Sequence, residues 1–274
     1  RIGVVVVDGD MVDGDNVDIP FVDIHLSGGK TVSKAIQGFM EDPTVHAIVV
    51  RIDSPGGSAM AADQIWRAIR RARKYKPVIA SLGAVAASGG YYVASATDEI
   101  WADPSTVTGS IGVFYGKVDV AALAERVGIG IEALSRGKHA NMESMWRPFT
   151  DEERAVLTQK VESWYGMFLR RVAEGRNMSV SRVDAVARGR IWSGDAASRL
   201  GLVDRLGSFA SALARARELA HLDSNAEVVI RPERPQTLLD YVLSTGPDAS
   251  SSQQNPWLRL GPDLRSVVGY VLSL

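Results

Sequence analysis

Ser88 lies in a run of small residues, Ala84-Val-Ala-Ala-Ser-Gly-Gly-Tyr-Tyr-Val-Ala94, that leaves its side chain unscreened. The preceding segment, Pro77 to Gly83, has the composition of a short buried strand, and the residues from Tyr91 onward can continue as a helix. A hydroxyl at such a turn feels the positive end of the helix dipole, which favours its ionised form, and the two glycines after it let a substrate backbone come close. The pattern predicts a nucleophilic serine, although small residues are equally typical of tight packing between a helix and a sheet.

Two further glycine-rich turns follow predicted strands and offer groups that acyl transfer requires. In Asp53-Ser-Pro-Gly-Gly-Ser58, the amides of Gly56 and Gly57 can project toward a site beside the next strand and hold a carbonyl oxygen there. Thr108-Gly-Ser-Ile-Gly112 places Ser110 as a candidate hydroxyl relay. Each turn alone is also typical of a purely conformational loop. Together they favour an enzyme, because ligand sites in α/β sheets collect at the carboxyl ends of strands.

The elements that must position these turns follow a βαβ rhythm. Short β-branched runs alternate with longer amphipathic runs, which predicts an α/β fold with a largely parallel central sheet and a helical second half. The predicted strands are residues 2–7, 47–52, 78–82, 99–102, 112–118, 131–134 and 226–230. The predicted helices are residues 32–41, 59–75, 91–97, 120–127, 150–174, 181–188, 194–200 and 208–220. The longest helix begins with a capping-box pattern, Thr150-Asp-Glu-Glu153.

The composition changes near residue 232. The segment from Ser244 to Pro256 is polar and has no periodicity, which is typical of a flexible linker. Residues 257–274 carry leucines, valines and a tyrosine among few charges, which favours docking on this subunit or a neighbour. We therefore expect one domain over residues 1–232, followed by a linker and C-terminal tail over residues 233–274.

Composition and charge exclude several classes of function. The 274 residues are 46% hydrophobic and 23% charged with a net charge of -1, which is typical of a soluble globular protein without a nucleic-acid footprint. There is no cysteine, which excludes thiol catalysis, and no group of histidines and carboxylates has metal-ligand spacing. No apolar stretch approaches the roughly 20 residues of a membrane helix. Because the chain opens at Arg1 directly in a strand pattern, we expect an upstream segment to precede it.

Three motifs, taken in order, resemble a known family. They are Ser54-Pro-Gly-Gly-Ser58, Ala86-Ala-Ser-Gly-Gly-Tyr-Tyr92 and Pro104-Ser-Thr-Val-Thr-Gly-Ser-Ile-Gly112. The chain resembles signal peptide peptidase A, a serine peptidase family with a fold similar to Clp protease and crotonase. The likeness continues through Gly189-Arg-Ile-Trp-Ser-Gly-Asp-Ala-Ala197 to Val203-Asp-Arg-Leu-Gly207.

The resemblance implies a fold of repeated ββα units and a role for each motif residue. Ser88 would be the nucleophile, Gly57 and Gly89 would furnish oxyanion amides, and Ser110 would orient the base. Family members use a Ser-Lys dyad and cleave signal peptides after their release from preproteins. No cofactor and no metal are implied.

The expected lysine is missing from its position. In short members of the family it follows a Gly-x-His or Gly-x-Tyr pair, and the matching segment here, Ser135-Arg-Gly-Lys-His-Ala-Asn141, has Ala140 in its place. A lysine acts as a base only when its amine is neutral, which burial achieves by lowering its pKa. Three explanations stay open. The chain is the C-terminal half of the long, duplicated form, whose N-terminal half supplies the lysine; alanine has replaced the lysine; or Lys138 reaches the serine.

Two functional hypotheses follow from these patterns. The first is a membrane-associated serine peptidase of the cell envelope, with its site on the extracytoplasmic side, that forms a homo-oligomer, works with an N-terminal homologous domain and degrades signal peptides or other apolar peptides. Met142, Met145 and Trp146 would form an apolar rim for the peptide. The second hypothesis is a catalytically incomplete homologous domain that acts as a scaffold or peptide-binding module, which Ala140 favours. A crotonase relative acting on acyl-CoA would not need a nucleophilic serine at this turn.

Overall fold

The computed structural model describes residues 1–19 and 24–232, which form both strands and helices. The strands are β1 (Ile2–Asp8), β2 (Asp10–Val12), β3 (Val17–Ile19), β4 (Ile24–Gly28), β5 (Ala47–Ser54), β6 (Val78–Ala87), β7 (Glu99–Ala102), β8 (Val107–Gly109), β9 (Ile191–Ser193), β10 (Arg205–Leu206) and β11 (Val228–Arg231). The helices are α1 (Gly29–Glu41), α2 (Ala59–Ala72), α3 (Gly89–Ala94), α4 (Ala121–Arg126), α5 (Asp151–Arg176), α6 (Val180–Val186), α7 (Gly194–Leu200) and α8 (Phe209–Leu219).

The central sheet is largely parallel, as the sequence predicts. Its strand order is β10-β7-β6-β5-β1-β11, and every neighbouring pair along this path is parallel. Strand β6 is long enough to change neighbours, since residues 79–81 pair with β7 and residues 85–87 pair with β8. Strand β9 then pairs antiparallel with β8. The C-terminal end of β6 therefore extends beyond β7, and Ser88 is the next residue after it.

Successive side chains of each strand point to opposite faces of the sheet and pack in two separate cores. On β1, Val5 and Val7 pack on the face covered by α1, α2, α3 and α5, whereas Ile2, Val4 and Val6 pack against α8. Because both faces of the sheet are covered, its strands are almost continuously apolar. The predicted α/β class and the mostly helical second half are both confirmed.

Two predicted strands are wrong. Residues 112–118 and 131–134 form no strand, and their apolar side chains stay in solvent, with Phe114 95% and Leu134 91% exposed. A β-branched run becomes a strand only when a neighbour offers backbone hydrogen bonds, and no such neighbour exists within the described part of the chain. Only the short helix α4 forms between these segments, and it buries Ala124 alone.

Several short elements give no signal in the sequence. Strands β2, β4 and β3 form a separate three-stranded sheet, in which β2 and β4 are parallel and β3 and β4 are antiparallel. This small sheet lies beside the glycine turn that follows β5, because Met11 of β2 forms a bridge with Gly57. It thereby contributes a wall to the site.

Helix α5 begins as the capping box predicts. The Thr150 hydroxyl accepts from the Glu153 amide at 3.2 Å, and the Glu153 carboxylate accepts from the Thr150 amide at 2.9 Å. Across residues 1–19 and 24–232, no helix combines the length and apolarity that a membrane span requires. The predicted linker and tail over residues 233–274 lie outside the described residues, so the division at residue 232 stays a prediction.

Candidate active site

Ser88 occupies a strained turn between β6 and α3. It is the N-cap residue of α3, with φ 50° and ψ −117°, and its amide donates to the Gly109 carbonyl at 2.9 Å. A positive φ in a residue with a side chain costs about 1–3 kcal/mol and persists only where the surroundings impose it. Such a turn presents a side chain at the end of the strand, as the sequence pattern predicts for a nucleophile.

The glycine turn after β5 packs directly on the serine turn. A Cβ placed on Gly56 would lie 2.8 Å from the Gly89 nitrogen and 2.9 Å from the Ser88 Cβ, so no side chain fits between the turns. A Cβ on Gly90 would lie 2.7 Å from the Ser54 carbonyl oxygen. Tight packing therefore accounts for Gly90, while Gly56 and Gly89 bring two backbone segments together at the serine itself.

Two backbone amides beside Ser88 are available to a ligand. The Gly57 and Gly89 N–H groups donate to no other group of the described chain. They are close to each other, because a Cβ on Gly89 would be 3.5 Å from the Gly57 nitrogen. Hydrogen bonds from Met11 to Gly56 (2.7 Å) and from Ser58 to Met11 (2.8 Å) hold the Gly57 turn in place. Two adjacent unpaired amides next to a serine are the arrangement that stabilises an oxyanion in acyl transfer.

Ser110 also borders the site, at the end of β8. Its φ is 48°, and its amide donates to the Arg190 carbonyl at 2.7 Å. Ser110 and Ser88 line the same cavity. The role of Ser110 as a relay stays a prediction.

Lys138 and Ala140 are not in this cavity. Lys138 forms an ion pair with Glu152, and its side chain is 70% exposed. Ala140 lies in the turn that begins at Gly137, to whose carbonyl its amide donates at 3.3 Å. His139, the histidine nearest to the expected lysine position, does not line the cavity either. Within the described residues, no lysine is enclosed beside Ser88.

The cavity over Ser88 has a volume of about 1030 Å³ and an apolar wall formed by α5. The α5 residues that form this wall recur at helical spacing on one face and are Leu157, Val161, Trp164, Tyr165 and Phe168. The Phe168 ring packs against Tyr92 of α3, with ring centroids 4.8 Å apart. The rim expected from Met142, Met145 and Trp146 does not line the cavity.

A buried carboxylate joins the three helices around the site. Asp63 of α2 is 8% exposed and accepts from the Tyr92 hydroxyl at 2.8 Å and from the Arg67 Nε at 2.6 Å. Arg171 of α5 lies 3.1 Å from the same carboxylate and stacks 3.9 Å above the Trp66 ring. Burial works to raise the pKa of Asp63, but these donors outweigh it and hold that pKa below its usual value. Burial, together with the neighbouring carboxylate, raises the pKa of Tyr92. Asp63 therefore stays ionised and fixes α3 against α5.

Few charged side chains line the cavity. They are Asp10 of β2, Lys160 of α5 and Arg188, and the last is paired with Asp184 at 2.6 Å. Sequence reasoning missed Lys160 and the α5 wall, although the spacing of apolar residues along residues 157–168 was visible. Among the residues that the structure describes, no group of three histidines or carboxylates could hold a metal ion.

The chain is similar in sequence to known proteins. The sequence profile of peptidase family S49 matches residues 70–223. A chloroplastic serine protease, SPPA, from Arabidopsis thaliana is 40% identical over 211 residues, which are 76% of this chain and 31% of that protein. Protease 4 from Haemophilus influenzae is 36% identical over 73% of this chain and 32% of its own length. A putative protease from Synechocystis is 37% identical over 77% of this chain and 76% of its own length.

A solved structure shows the same fold. A ClpP1 mutant from Listeria monocytogenes superposes with a TM-score of 0.50 and 15% identity, over 77% of this chain and 94% of that one. The expected Clp protease/crotonase-like fold is thereby confirmed, and it defines the class of the protein by architecture. Within that class, the chain belongs to peptidase family S49. It spans about a third of the length of the Arabidopsis and Haemophilus relatives.

Proposed function

We propose that this chain carries the nucleophile of a serine endopeptidase that degrades cleaved signal peptides or other extended apolar peptides at the membrane. Ser88 attacks the peptide carbonyl, and a lysine from another domain or subunit takes its proton. The observation that carries the proposal is the strained Ser88 turn beside the unpaired amides of Gly57 and Gly89.

The chemistry runs through two steps. Attack by the Ser88 Oγ on the carbonyl carbon generates an oxyanion, which the Gly57 and Gly89 amides stabilise, while the base receives the hydroxyl proton. Collapse of this intermediate releases the amine of the leaving peptide, which takes the proton from the base. Water then attacks the acyl-enzyme while the base takes its proton. Collapse of this second intermediate releases the peptide acid and returns the proton to the Ser88 Oγ. Ser110 orients the base.

The base is proposed to come from another subunit or from another domain. A general-base lysine must be neutral and therefore enclosed, whereas Lys138 is exposed and paired with Glu152. Alanine stands at position 140, where the resemblance to short family members would place the lysine. A second copy of the chain or an N-terminal homologous domain would supply the missing group.

Exposed apolar surface near the site supports a partner of this kind. Between residues 114 and 134, large apolar side chains that are more than half exposed include Phe114, Val118, Leu123, Val127 and Leu134. Several large apolar side chains exposed along one segment are more than is typical of a surface that stays in solvent, which favours a covering partner. Phe114 also lines the Ser88 cavity, so a partner that covers it would close the site. We propose that the partner is a homo-oligomer neighbour or the homologous domain.

The apolar wall of α5 supports the proposed substrate class. A wall of leucine, valine and aromatic side chains favours apolar residues of an extended peptide over charged ones. A relative from Enterococcus faecium, 34% identical over 65% of this chain, is named a putative signal peptide peptidase SppA. We propose by analogy that the enzyme acts at the cell envelope, with its site on the extracytoplasmic side of the membrane.

The second candidate function is a catalytically incomplete homologous domain that serves as a scaffold or binds peptides. Ala140 and the lack of an enclosed lysine among the described residues favour it. The two functions differ in whether Ser88 is activated, which a serine-reactive fluorophosphonate probe reports directly.

The test is hydrolysis of a fluorogenic apolar peptide by this chain, with Ser88→Ala as the control. Turnover that Ser88→Ala abolishes supports the peptidase and shows that a base exists in the chain or its homo-oligomer. If a folded sample shows neither turnover nor probe labelling, Ala140→Lys and addition of the homologous N-terminal region come next. Recovery of Ser88-dependent turnover by either one supports the proposal. Failure of both to produce turnover refutes it in favour of the scaffold.

A further inference from the structure

Lys160 of α5 is a cation inside an otherwise largely apolar wall. It lines the cavity that holds Ser88, and its neighbours there on α5 are Leu157, Val161 and Trp164. Its Nζ lies 5.8 Å from the centroid of the Tyr115 ring. Within the described part of the chain it forms no hydrogen bond or ion pair. A lysine without an ion-pair partner therefore lines the space that a substrate would fill.

The helix itself offers this lysine no carboxylate. Residues three or four positions away on the same face are Val156, Leu157, Ser163 and Trp164, so no i,i+3 or i,i+4 ion pair can form. The nearest acid along the chain, Glu162, is two positions away and points to a different side of the helix. Most other ions on α5 are paired, as Arg171 is with Asp63 and Glu174.

The other charges of the cavity do not compete for the same ligand. Arg188 is neutralised by Asp184, to which its Nε and Nη2 both donate. Asp10 lies on β2, next to the Met11 backbone that holds the Gly57 turn, and its carboxylate would repel an anion. A ligand with one negative charge is therefore attracted toward α5 and away from β2.

We propose that Lys160 binds the C-terminal carboxylate of the peptide substrate. This inference rests on the proposed function and names a feature of the substrate. Side chains that suit the α5 wall carry no charge, so the one negative group of such a peptide is its terminal carboxylate. A chain end released by an earlier proteolytic cut carries this group, whereas the same sequence inside an intact precursor does not. Lys160 would thus distinguish cleaved peptides from uncut ones.

Lys160 acts here as a cation and not as the base. Its side chain is exposed, whereas a general-base lysine must be enclosed. The two roles predict different results. A base is needed for every peptide, whereas an anchor matters only for peptides that carry the carboxylate.

The test compares two fluorogenic apolar peptides that differ only in a C-terminal carboxylate or carboxamide, with fluorophore and quencher placed away from that end. The unaltered protein is measured in an assembly that shows Ser88-dependent turnover. We expect its kcat/KM to be about tenfold higher for the acid than for the amide, through a lower KM. A tenfold effect corresponds to a binding free energy between that of a solvent-exposed ion pair and that of a desolvated one. Lys160→Met should bring the acid-to-amide ratio to about one. Arg170→Met, which removes an exposed charge from the same helix outside the cavity, should leave the ratio unchanged.

Three outcomes would overturn the inference. In the first, the unaltered protein shows no preference for the acid. In the second, Lys160→Met retains the preference. In the third, Lys160→Met reduces kcat equally for both peptides, which would indicate that Lys160 is the base. Binding of labelled acid and amide peptides to Ser88→Ala separates this inference from the proposed function. Tighter binding of the acid that depends on Lys160, without turnover in any assembly, would support the anchor and refute the peptidase. Ser88-dependent turnover without a preference for the acid would support the peptidase and refute the anchor.

Discussion

Replacing Asp63 by alanine should destabilise the protein through the helices that frame the site. The carboxylate is the shared acceptor for Tyr92 of α3, Arg67 of α2 and Arg171 of α5. Asp63 and Tyr92 are 8% and 3% exposed, so water does not readily replace the lost partner. The substitution therefore leaves a buried hydroxyl unsatisfied and a partly buried guanidinium without its main carboxylate.

The magnitude follows from the exposure of each donor. An unsatisfied buried hydroxyl costs about 1–3 kcal/mol. The Arg171 side chain is 22% exposed and keeps Glu174 only at 3.9 Å, so the loss of its charged acceptor adds about 1.5–3 kcal/mol. Arg67 is 64% exposed and contributes at most about 1 kcal/mol. The expected loss for Asp63→Ala is therefore about 2.5–7 kcal/mol, a range that includes the ~3–5 kcal/mol usual for a broken buried ion pair.

The assay is urea denaturation at pH 7, combined with a double-mutant cycle. Tyr92→Phe removes the hydroxyl itself, so no buried hydroxyl is left without a partner, and the loss of stability should be only about 1 kcal/mol. In the Asp63→Ala background the same substitution should cost less than this or stabilise the protein, because the unsatisfied hydroxyl has gone. Arg67→Ala is the matched control at the exposed edge of the cluster, with an expected loss below about 1 kcal/mol.

Two results would refute this reasoning. A loss below about 1 kcal/mol for Asp63→Ala would mean that the carboxylate does not join the helices. Equal effects of Tyr92→Phe in both backgrounds would mean that the hydroxyl and the carboxylate are not coupled.

Two further predictions concern the oxyanion turn and the start of α5. Gly57→Ala should lower Ser88-dependent turnover by about 10²-fold, because φ is +133° and a new Cβ would lie 2.3 Å from the Met11 carbonyl oxygen. Gly130→Ala, which meets no atom within 4 Å, is the control, and equal kinetics for both variants would contradict the assignment. The Arg147 guanidinium lowers the pKa of Glu153 from 4.5 to about 2, so its ionised carboxylate stabilises the fold above pH 4.5, and this contribution is lost as the pH falls toward 2. The difference in unfolding free energy between the unaltered protein and Glu153→Gln should accordingly shrink over that window, and a difference that is constant with pH would exclude the effect.

Much of the fold could be predicted from local pattern. Strand and helix periodicity along residues 2–102 and 150–230 predicts nearly every long element, because apolar spacing reflects which face is buried. The strands predicted at 112–118 and 131–134 are wrong because a strand depends on a neighbour, which the local pattern does not reveal. Short strands such as β2 and β10 are missed for the same reason, since pairing and not propensity holds them.

The candidate site divides in a similar way. The small residues around Ser88 and Gly57 predict a reactive turn, because only glycine and its smallest neighbours permit such close backbone approach. The α5 wall and Lys160 are about 70 residues further along the chain, and their position beside Ser88 depends on how α5 packs against α3.

By itself, then, the sequence determined the α/β class, the Ser88 and Gly57 turns and the absence of a lysine at position 140. These features depend on residue types and on spacings of a few positions, and both can be read directly from the sequence. Only the tertiary structure decided that Lys138 pairs with Glu152 away from the cavity, and that α5 forms one wall of the site. It also decided that Asp63 meets Arg171, 108 residues later. Such contacts join distant parts of the chain, and their free energy is gained only once the whole sheet and its covering helices have packed.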